Sequence, residues 1–234
     1  ATLTPPATLP ASSGVNLTAL NATNLGSGTV PTARLGTGTA SSSTVLYGDQ
    51  TYKAEPTGGL VYVGGLVSTS ATAYYQVDNV FTATYSRYLV TFRVIPVTTG
   101  AGIDLQFRTS APATLSAAEY EYSLHGFDSD NNSTFRDGQG TTQVQLTHGV
   151  NNDAARGGMT GVMYFSEIDS GDRSVVTANY MYPNDSAVMR TMIGSITYKA
   201  TSDAIAGFQF YGSGGTADDD IDSGSIRVYG IVDS

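Results

Sequence analysis

The two histidines are the residues whose type most suggests catalysis or metal binding. His125 and His148 each stand at the end of a predicted strand, beside a glycine. A catalytic or metal-binding histidine needs a second convergent group, and the sequence does not indicate one. We expect structural roles for both. If copies of the chain met around a three-fold axis, the two residues would allow a shared metal site or a pH switch.

The densest group of carboxylates precedes the last predicted strand. It consists of Asp218, Asp219, Asp220 and Asp222. Calcium takes six to eight oxygen ligands, so these residues are a candidate calcium site and the only cofactor site that the sequence suggests. Adjacent carboxylates cannot all point one way, and we prefer the alternative of a solvated acidic loop. Residues 128–132 resemble the start of a calcium loop but lack its glycine and distal glutamate, so they predict a turn-rich loop.

Enzymatic activity is not expected. The sequence contains no nucleophile-elbow, zinc-protease or phosphate-loop motif. Glycoside hydrolysis needs two carboxyl groups roughly 5 to 9 Å apart, and nothing in the sequence selects such a pair among the twenty Asp and Glu.

Composition excludes several partners. Eleven Lys and Arg against twenty Asp and Glu give a net charge of −9, which disfavours nucleic acid and anionic membrane surfaces. The sequence contains no cysteine, so it can form neither disulfides nor a thiolate nucleophile. The longest uncharged stretch of apolar character, residues 56–77, contains four glycines and several hydroxyl residues, so no membrane insertion is predicted.

From about residue 58 onward, short apolar and aromatic runs alternate with polar residues and are separated by turn residues. Tyr88, Val90, Phe92 and Val94 form the clearest alternation, which predicts a strand with one buried face. The spacing predicts an antiparallel β-sandwich or barrel over residues 58–234. The predicted strands are 60–67, 73–83, 86–97, 103–108, 119–124, 143–147, 159–168, 173–182, 189–199, 204–211 and 224–232.

Residues 15–57 have a different composition, rich in Gly, Ser and Thr. One apolar residue recurs every five positions, at Leu20, Leu25, Val30 and Leu35. This period suits neither a helix nor a regular strand, so we predict an extended stalk in which identical chains wind together and bury these residues. A flexible linker is the alternative. Residues 1–14 are expected to be flexible or to attach the chain to a larger particle.

The stalk carries a resemblance to a known family. Residues 16–52 read NLTALNATNLGSGTVPTARLGTGTASSSTVLYGDQTY, which resembles the repetitive stalk of tail-fibre and appendage proteins of tailed bacteriophages. Tyr52 stands where that pattern often has Trp, and Thr32 where it often has Asp. Residues 80–90, 103–109 and 223–231 are similar to the β-rich heads of such fibres. The resemblance implies a homotrimer on the outside of a virion, with a jelly-roll-like head and an N-terminal segment that contacts other virion proteins.

The resemblance also implies binding to the bacterial surface, through a glycan or a protein. Glycan sites use exposed aromatic residues on loops. Phe135 and Tyr182 are the aromatic residues outside the clean alternation, and we predict them as contact residues. A purely structural virion spike without a receptor is the alternative, and a polysaccharide-binding module of a cell-surface enzyme is a more distant one.

Overall fold

The computed structural model describes residues 30–54, 59–111, 113–153, 155, 157–166, 168, 174–199, 204–213 and 220–232. Within these residues the chain is all-β, with antiparallel strands and a single 3-10 turn at Thr32–Arg34. The all-β prediction is therefore confirmed. No helix of the described part is long and apolar enough to cross a membrane.

The chain divides into two compact units, Ala1–Pro56 and Thr57–Ser234. The described part of the first unit contains the hairpin of β1 (Thr44–Leu46) and β2 (Tyr52–Ala54). Val30 and Leu35 are 41% and 43% exposed in the single chain. Leu20, Leu25 and residues 1–14 lie outside the described residues, so the intertwined stalk stays a prediction.

The second unit holds twelve described strands. Their bounds are β3 Leu60–Ser68, β4 Tyr74–Val77, β5 Arg87–Pro96, β6 Ile103–Thr109, β7 Tyr120–Asp128, β8 Ser133–Thr141, β9 Val144–Gln145, β10 Met159–Ser166, β11 Ser174–Pro183, β12 Met189–Tyr198, β13 Ile205–Gly212 and β14 Ile221–Ile231. Eight of them form a large sheet in the order β3-β14-β5-β10-β11-β12-β7-β8. The other four form a small sheet in the order β4-β13-β6-β9.

Aromatic side chains from both sheets share one hydrophobic core. Phe92 of the large sheet contacts Phe210 of the small sheet, with ring centroids 5.0 Å apart. Phe165 and Phe208 meet in the same way at 5.5 Å. The alternation predicted for residues 88–94 is confirmed, because Tyr88, Val90, Phe92 and Val94 are all buried. Two antiparallel sheets joined by one apolar core are consistent with a β-sandwich.

Strand β8 is absent from the strands that the sequence predicts, which include none between residues 124 and 143. Residues 128–132 do form a turn, in which the Asp128 carboxylate accepts the backbone N–H groups of Asp130 and Asn132. Residues 133–141 instead pair with β7 as the edge strand of the large sheet. Neither face of β8 contributes a large apolar residue to the core, so the strand lacks the alternation by which the others were predicted.

Candidate functional site

The exposed face of the large sheet gathers large apolar side chains at one end. The inward side chains of β7 include Tyr120 and Leu124, so Ser123, His125 and Phe127 point outward. Register then fixes their neighbours, because His125 pairs with Ile193 on β12 and with Phe135 on β8. The outward faces of two consecutive strands, β7 and β8, and of the distant strand β12 thus meet at this end of the sheet.

These side chains are unusually exposed for their size. Phe127 is 63% exposed, Ile193 56% and Phe135 54%, whereas the other six phenylalanines of the chain are buried. The His125 ring contacts the Phe135 ring edge-on, with centroids 4.8 Å apart. We call this set, His125, Phe127, Phe135, Met189 and Ile193, the outer aromatic surface. Contiguous patches of exposed apolar side chains often mark interaction sites.

A cavity of about 380 Å³ lies within this surface. Its lining is His125, Gly126, Phe127, Asp128, Ser129, Met189, Thr191 and Ile193. The walls are mostly apolar, while Asp128, Ser129 and Thr191 contribute oxygen atoms. The Asn132 backbone N–H is the main cause that lowers the pKa of Asp128, so its carboxylate is charged at neutral pH. The cavity therefore combines an apolar wall with a hydrogen-bond acceptor at one end.

Position 126, which lines this cavity, accommodates only glycine. A Cβ at this position would lie 1.9 Å from the Thr191 carbonyl oxygen and 2.6 Å from the Met192 sulfur. Both distances are shorter than real Cβ contacts, so the close approach of β7 and β12 depends on glycine.

Of the two predicted contact residues, the structure exposes Phe135 and buries Tyr182. The Tyr182 side chain is fully buried because β11 continues through it, with Val176, Ala178 and Tyr180 on the same inward face. Tyr182 is therefore not an exposed loop aromatic, and its ring cannot form an open stacking surface for a sugar, which corrects the sequence prediction. Phe135 remains a contact candidate, now as part of a strand.

The two histidines occupy different environments. His125 is exposed on the outward face of β7, where its Nε2 lies 3.0 Å from the Ser123 hydroxyl. His148 follows β9, and its pKa is lowered by burial and by the positive charges of Arg136 and Arg190. Among the described residues, no group of three or more His, Asp or Glu side chains is placed to hold a metal ion.

The acidic segment is only partly described. Asp218 and Asp219 lie outside the described residues. Asp220 and Asp222 flank Ile221, the first residue of β14, and the Asp220 carbonyl oxygen accepts the Val97 N–H at 2.8 Å. Asp222 is exposed. The calcium site therefore stays a prediction.

Sequence reasoning missed Phe127, Met189 and Ile193. For Phe127 and Ile193, the alternation along the strand would have indicated an exposed position. The alternation of β7 places Phe127 on the side of Glu121 and Ser123, and that of β12 places Ile193 on the side of Thr191 and Ser195. An apolar residue on the polar side of a strand is the pattern to look for.

The chain was also compared with protein-family models, curated proteins and solved structures, and none of these matches it.

Proposed function

We propose that this chain is an external fibre or appendage protein of a tailed bacteriophage, and that its β-rich unit binds a glycan on the bacterial surface. The outer aromatic surface is the observation that carries the proposal. Phe127, Phe135 and Ile193 are exposed although the same unit buries its other phenylalanines, and they adjoin a cavity of ligand size.

The chemistry of the cavity suits a sugar. A sugar ring has apolar C–H faces and a hydroxyl edge, so it needs an apolar wall together with a few hydrogen-bonding groups. Phe127 and Ile193 supply the wall. Ser129 and Thr191 line the same cavity and supply the polar contacts through their hydroxyl groups.

Strand order supports a jelly roll as the fold of the head. In the large sheet β3 lies beside β14, and in the small sheet β4 lies beside β13, so the first strand pairs with the last and the second with the second last. Strands β5 and β10 complete one half and β6 and β9 the other. This nested order of eight of the twelve strands supports a jelly roll, a fold used by viral capsid proteins and lectins, and β11, β12, β7 and β8 would extend its larger sheet.

The stalk residues support a trimer. Val30 and Leu35 are exposed in a single chain, and winding three chains together would cover them. Resemblance of residues 16–52 to phage fibre stalks points to the same assembly. Three heads on one stalk would bind a repetitive glycan together, so weak contacts at each head would still give firm attachment.

Cell binding tests the proposed function. Fluorescently labelled protein is expected to bind susceptible bacteria, and the double variant Phe127→Ala with Phe135→Ala is expected to lose at least tenfold in apparent affinity. Tyr164→Ala is the matched control, because Tyr164 is 48% exposed on β10 of the same sheet, away from the cavity.

Two outcomes would contradict the proposal. Equal binding by the double variant and the parent would remove the outer aromatic surface from recognition. If the parent bound no susceptible host, a structural spike would be the better description. Circular dichroism of each variant separates lost recognition from lost folding.

A further inference from the structure

Cationic side chains gather on the inward side of β7, β8 and β12, opposite the outer aromatic surface. Arg136 on β8 pairs with the buried Leu124, and Arg190 on β12 pairs with the buried Tyr182, so both arginines lie on the inward side. Each is part-exposed, which leaves it reachable from solvent. In a chain with eleven Lys and Arg and a net charge of −9, two such arginines near one end of a sheet call for an explanation.

Each of these arginines has one buried donor without an acceptor among the described residues. The Nε atoms of Arg136 and Arg190 are both buried and have no hydrogen-bond partner in the described part of the chain. One Arg136 Nη atom donates to the Phe135 carbonyl oxygen at 2.7 Å. Buried donors without acceptors are unfavourable, so they point to an acceptor that is not part of the described protein.

Tyr182 adds a third unused group beside Arg190. Its ring is fully buried and stacks on Tyr180, with centroids 6.3 Å apart. Its hydroxyl is buried and, among the described residues, has no hydrogen-bond partner. A buried tyrosine hydroxyl usually finds a partner, and register places this one next to Arg190.

The segment that carries His148 lies on the same side of the large sheet as these groups. The Tyr180 hydroxyl donates to the Leu146 carbonyl oxygen at 2.7 Å and so fixes the segment that leads to His148. Burial, then the charges of Arg136 and Arg190, lower the pKa of this imidazole. Geometry places the segment of His148 on the same side, because Tyr180, whose hydroxyl binds Leu146, stacks on Tyr182, and Tyr182 pairs with Arg190.

The carboxylate that the register places beside Arg190 does not neutralise this group. Asp128 pairs with Arg190 across the two strands, but its carboxylate accepts hydrogen bonds from Asn132 and Asp130. Arg190 acts on it only at longer range. The described part of the chain contains no ion pair of Arg136 or Arg190.

We propose that Arg136, Arg190, Tyr182 and His148, the inner arginine cluster, form a binding site for an oxyanion, either a carboxylate or a phosphate group. A guanidinium group offers parallel N–H donors that fit the two oxygens of such a group. The tyrosine hydroxyl supplies a neutral donor. The anion would thereby satisfy the donors that the fold leaves unused.

The natural source of the anion is an acidic surface polysaccharide, which carries uronic acid carboxylates or phosphodiesters. This identification rests on the proposed attachment function, whereas the site itself does not. The outer aromatic surface and the two arginines of the inner cluster lie on opposite faces of the large sheet, so an acidic glycan would engage both around the end of the sheet.

Calorimetric titration of the full chain tests the site. The probes are glucuronate, glycerol phosphate and inorganic phosphate, with glucose as the neutral control. We expect at least one anion to bind and glucose not to bind at this site. Stronger binding of glucuronate identifies a uronic acid source, and stronger binding of glycerol phosphate identifies a phosphate-bearing polymer.

Three variants decide whether the cluster is responsible. Arg190→Gln is expected to weaken anion binding at least tenfold, and Tyr182→Phe several-fold without loss of folding. Arg227→Gln on β14 removes the same charge from an exposed position elsewhere and is expected to leave binding unchanged. Equal weakening by Arg190→Gln and Arg227→Gln would mean that the overall positive charge, and not this cluster, attracts the anion, and it would overturn the proposal. The absence of anion binding by the parent would overturn it as well.

Cell binding separates this proposal from the proposed function. If isolated anions bind through Arg190 but no bacterium is bound, the site stands and the attachment function fails. If cells are bound through Phe127 while Arg190→Gln leaves both anion and cell binding intact, the function stands and the site is wrong.

Discussion

The buried hydroxyl of Tyr180 donates a 2.7 Å hydrogen bond to the main-chain carbonyl oxygen of Leu146. Tyr180 belongs to β11 of the large sheet, and Leu146 directly follows β9 of the small sheet. Burial raises the pKa of Tyr180 well above its ordinary value, so the hydroxyl keeps its proton. This bond connects the two sheets next to the segment that carries His148.

Tyr180→Phe is expected to lower the free energy of unfolding by about 1–3 kcal/mol. The substitution removes the donor and leaves a buried carbonyl oxygen without its partner. Urea unfolding followed by circular dichroism measures the difference.

Tyr182→Phe is the matched control for that experiment. It removes the same atom two residues further along β11, where the hydroxyl has no partner among the described residues. Stability is therefore expected to stay constant or to rise by up to about 1 kcal/mol. Equal losses in the two variants would show that the hydrogen bond to Leu146 contributes nothing specific.

Asp104 is expected to make stability depend on pH. Its side chain is buried on β6, where it accepts a 3.2 Å hydrogen bond from Gln143, and burial raises its pKa to about 7. Because the folded pKa exceeds the unfolded value of 3.8, the folded chain binds more protons between these two pH values. The contribution of Asp104 to stability therefore falls as pH rises from about 4 to about 7, and stays low above that.

Asp104→Asn removes this titration and isolates its effect. We expect the variant to gain roughly 1–3 kcal/mol over the parent at pH 8 and to lose most of that gain at pH 5. Chemical unfolding of both proteins at the two pH values gives the comparison. A constant difference across this range would mean that Asp104 does not titrate there.

Sequence periodicity predicts most strands here because buried residues alternate regularly along them. Ile103, Leu105 and Phe107 were expected to be buried, and they are. Their polar neighbours Asp104 and Gln106 were expected to face water, yet both are buried as well. A sequence pattern assigns polar residues to solvent, whereas here Gln106 joins a hydrogen-bonded network across the small sheet and Asp104 accepts a hydrogen bond from Gln143.

The candidate sites were harder to predict because they depend on long-range pairing. Phe135, His125 and Ile193 come together only because β8, β7 and β12 are neighbours in the large sheet. Arg136 and Arg190 approach the same end of the sheet for the same reason. Alternation along a single strand indicates which face a residue occupies, but it does not indicate which distant strand lies beside it.

Gln209 is the centre of that polar network. Its side-chain oxygen accepts hydrogen bonds from Gln76 at 3.0 Å and Arg108 at 2.9 Å, and its amide donates to Gln106 at 3.0 Å. Gln209→Leu would leave these partners buried and incompletely bonded, so we expect a loss of about 2–4 kcal/mol in unfolding free energy. Gln139→Leu is the control, because Gln139 is exposed on β8. A loss below about 1 kcal/mol for Gln209→Leu would mean that the network adds little stability.

The trimer makes the most direct prediction about the first unit. Light scattering is expected to give three times the chain mass of 24.4 kDa. If Val30 and Leu35 pack between chains, Val30→Asp combined with Leu35→Asp would bury charges and dissociate the assembly. Thr39→Asp places a charge at an exposed position of the same segment and is expected to leave the mass unchanged. A parent mass of one chain would refute the trimeric stalk. Dissociation by Thr39→Asp would show that added charge alone, and not loss of the buried apolar repeat, breaks the assembly.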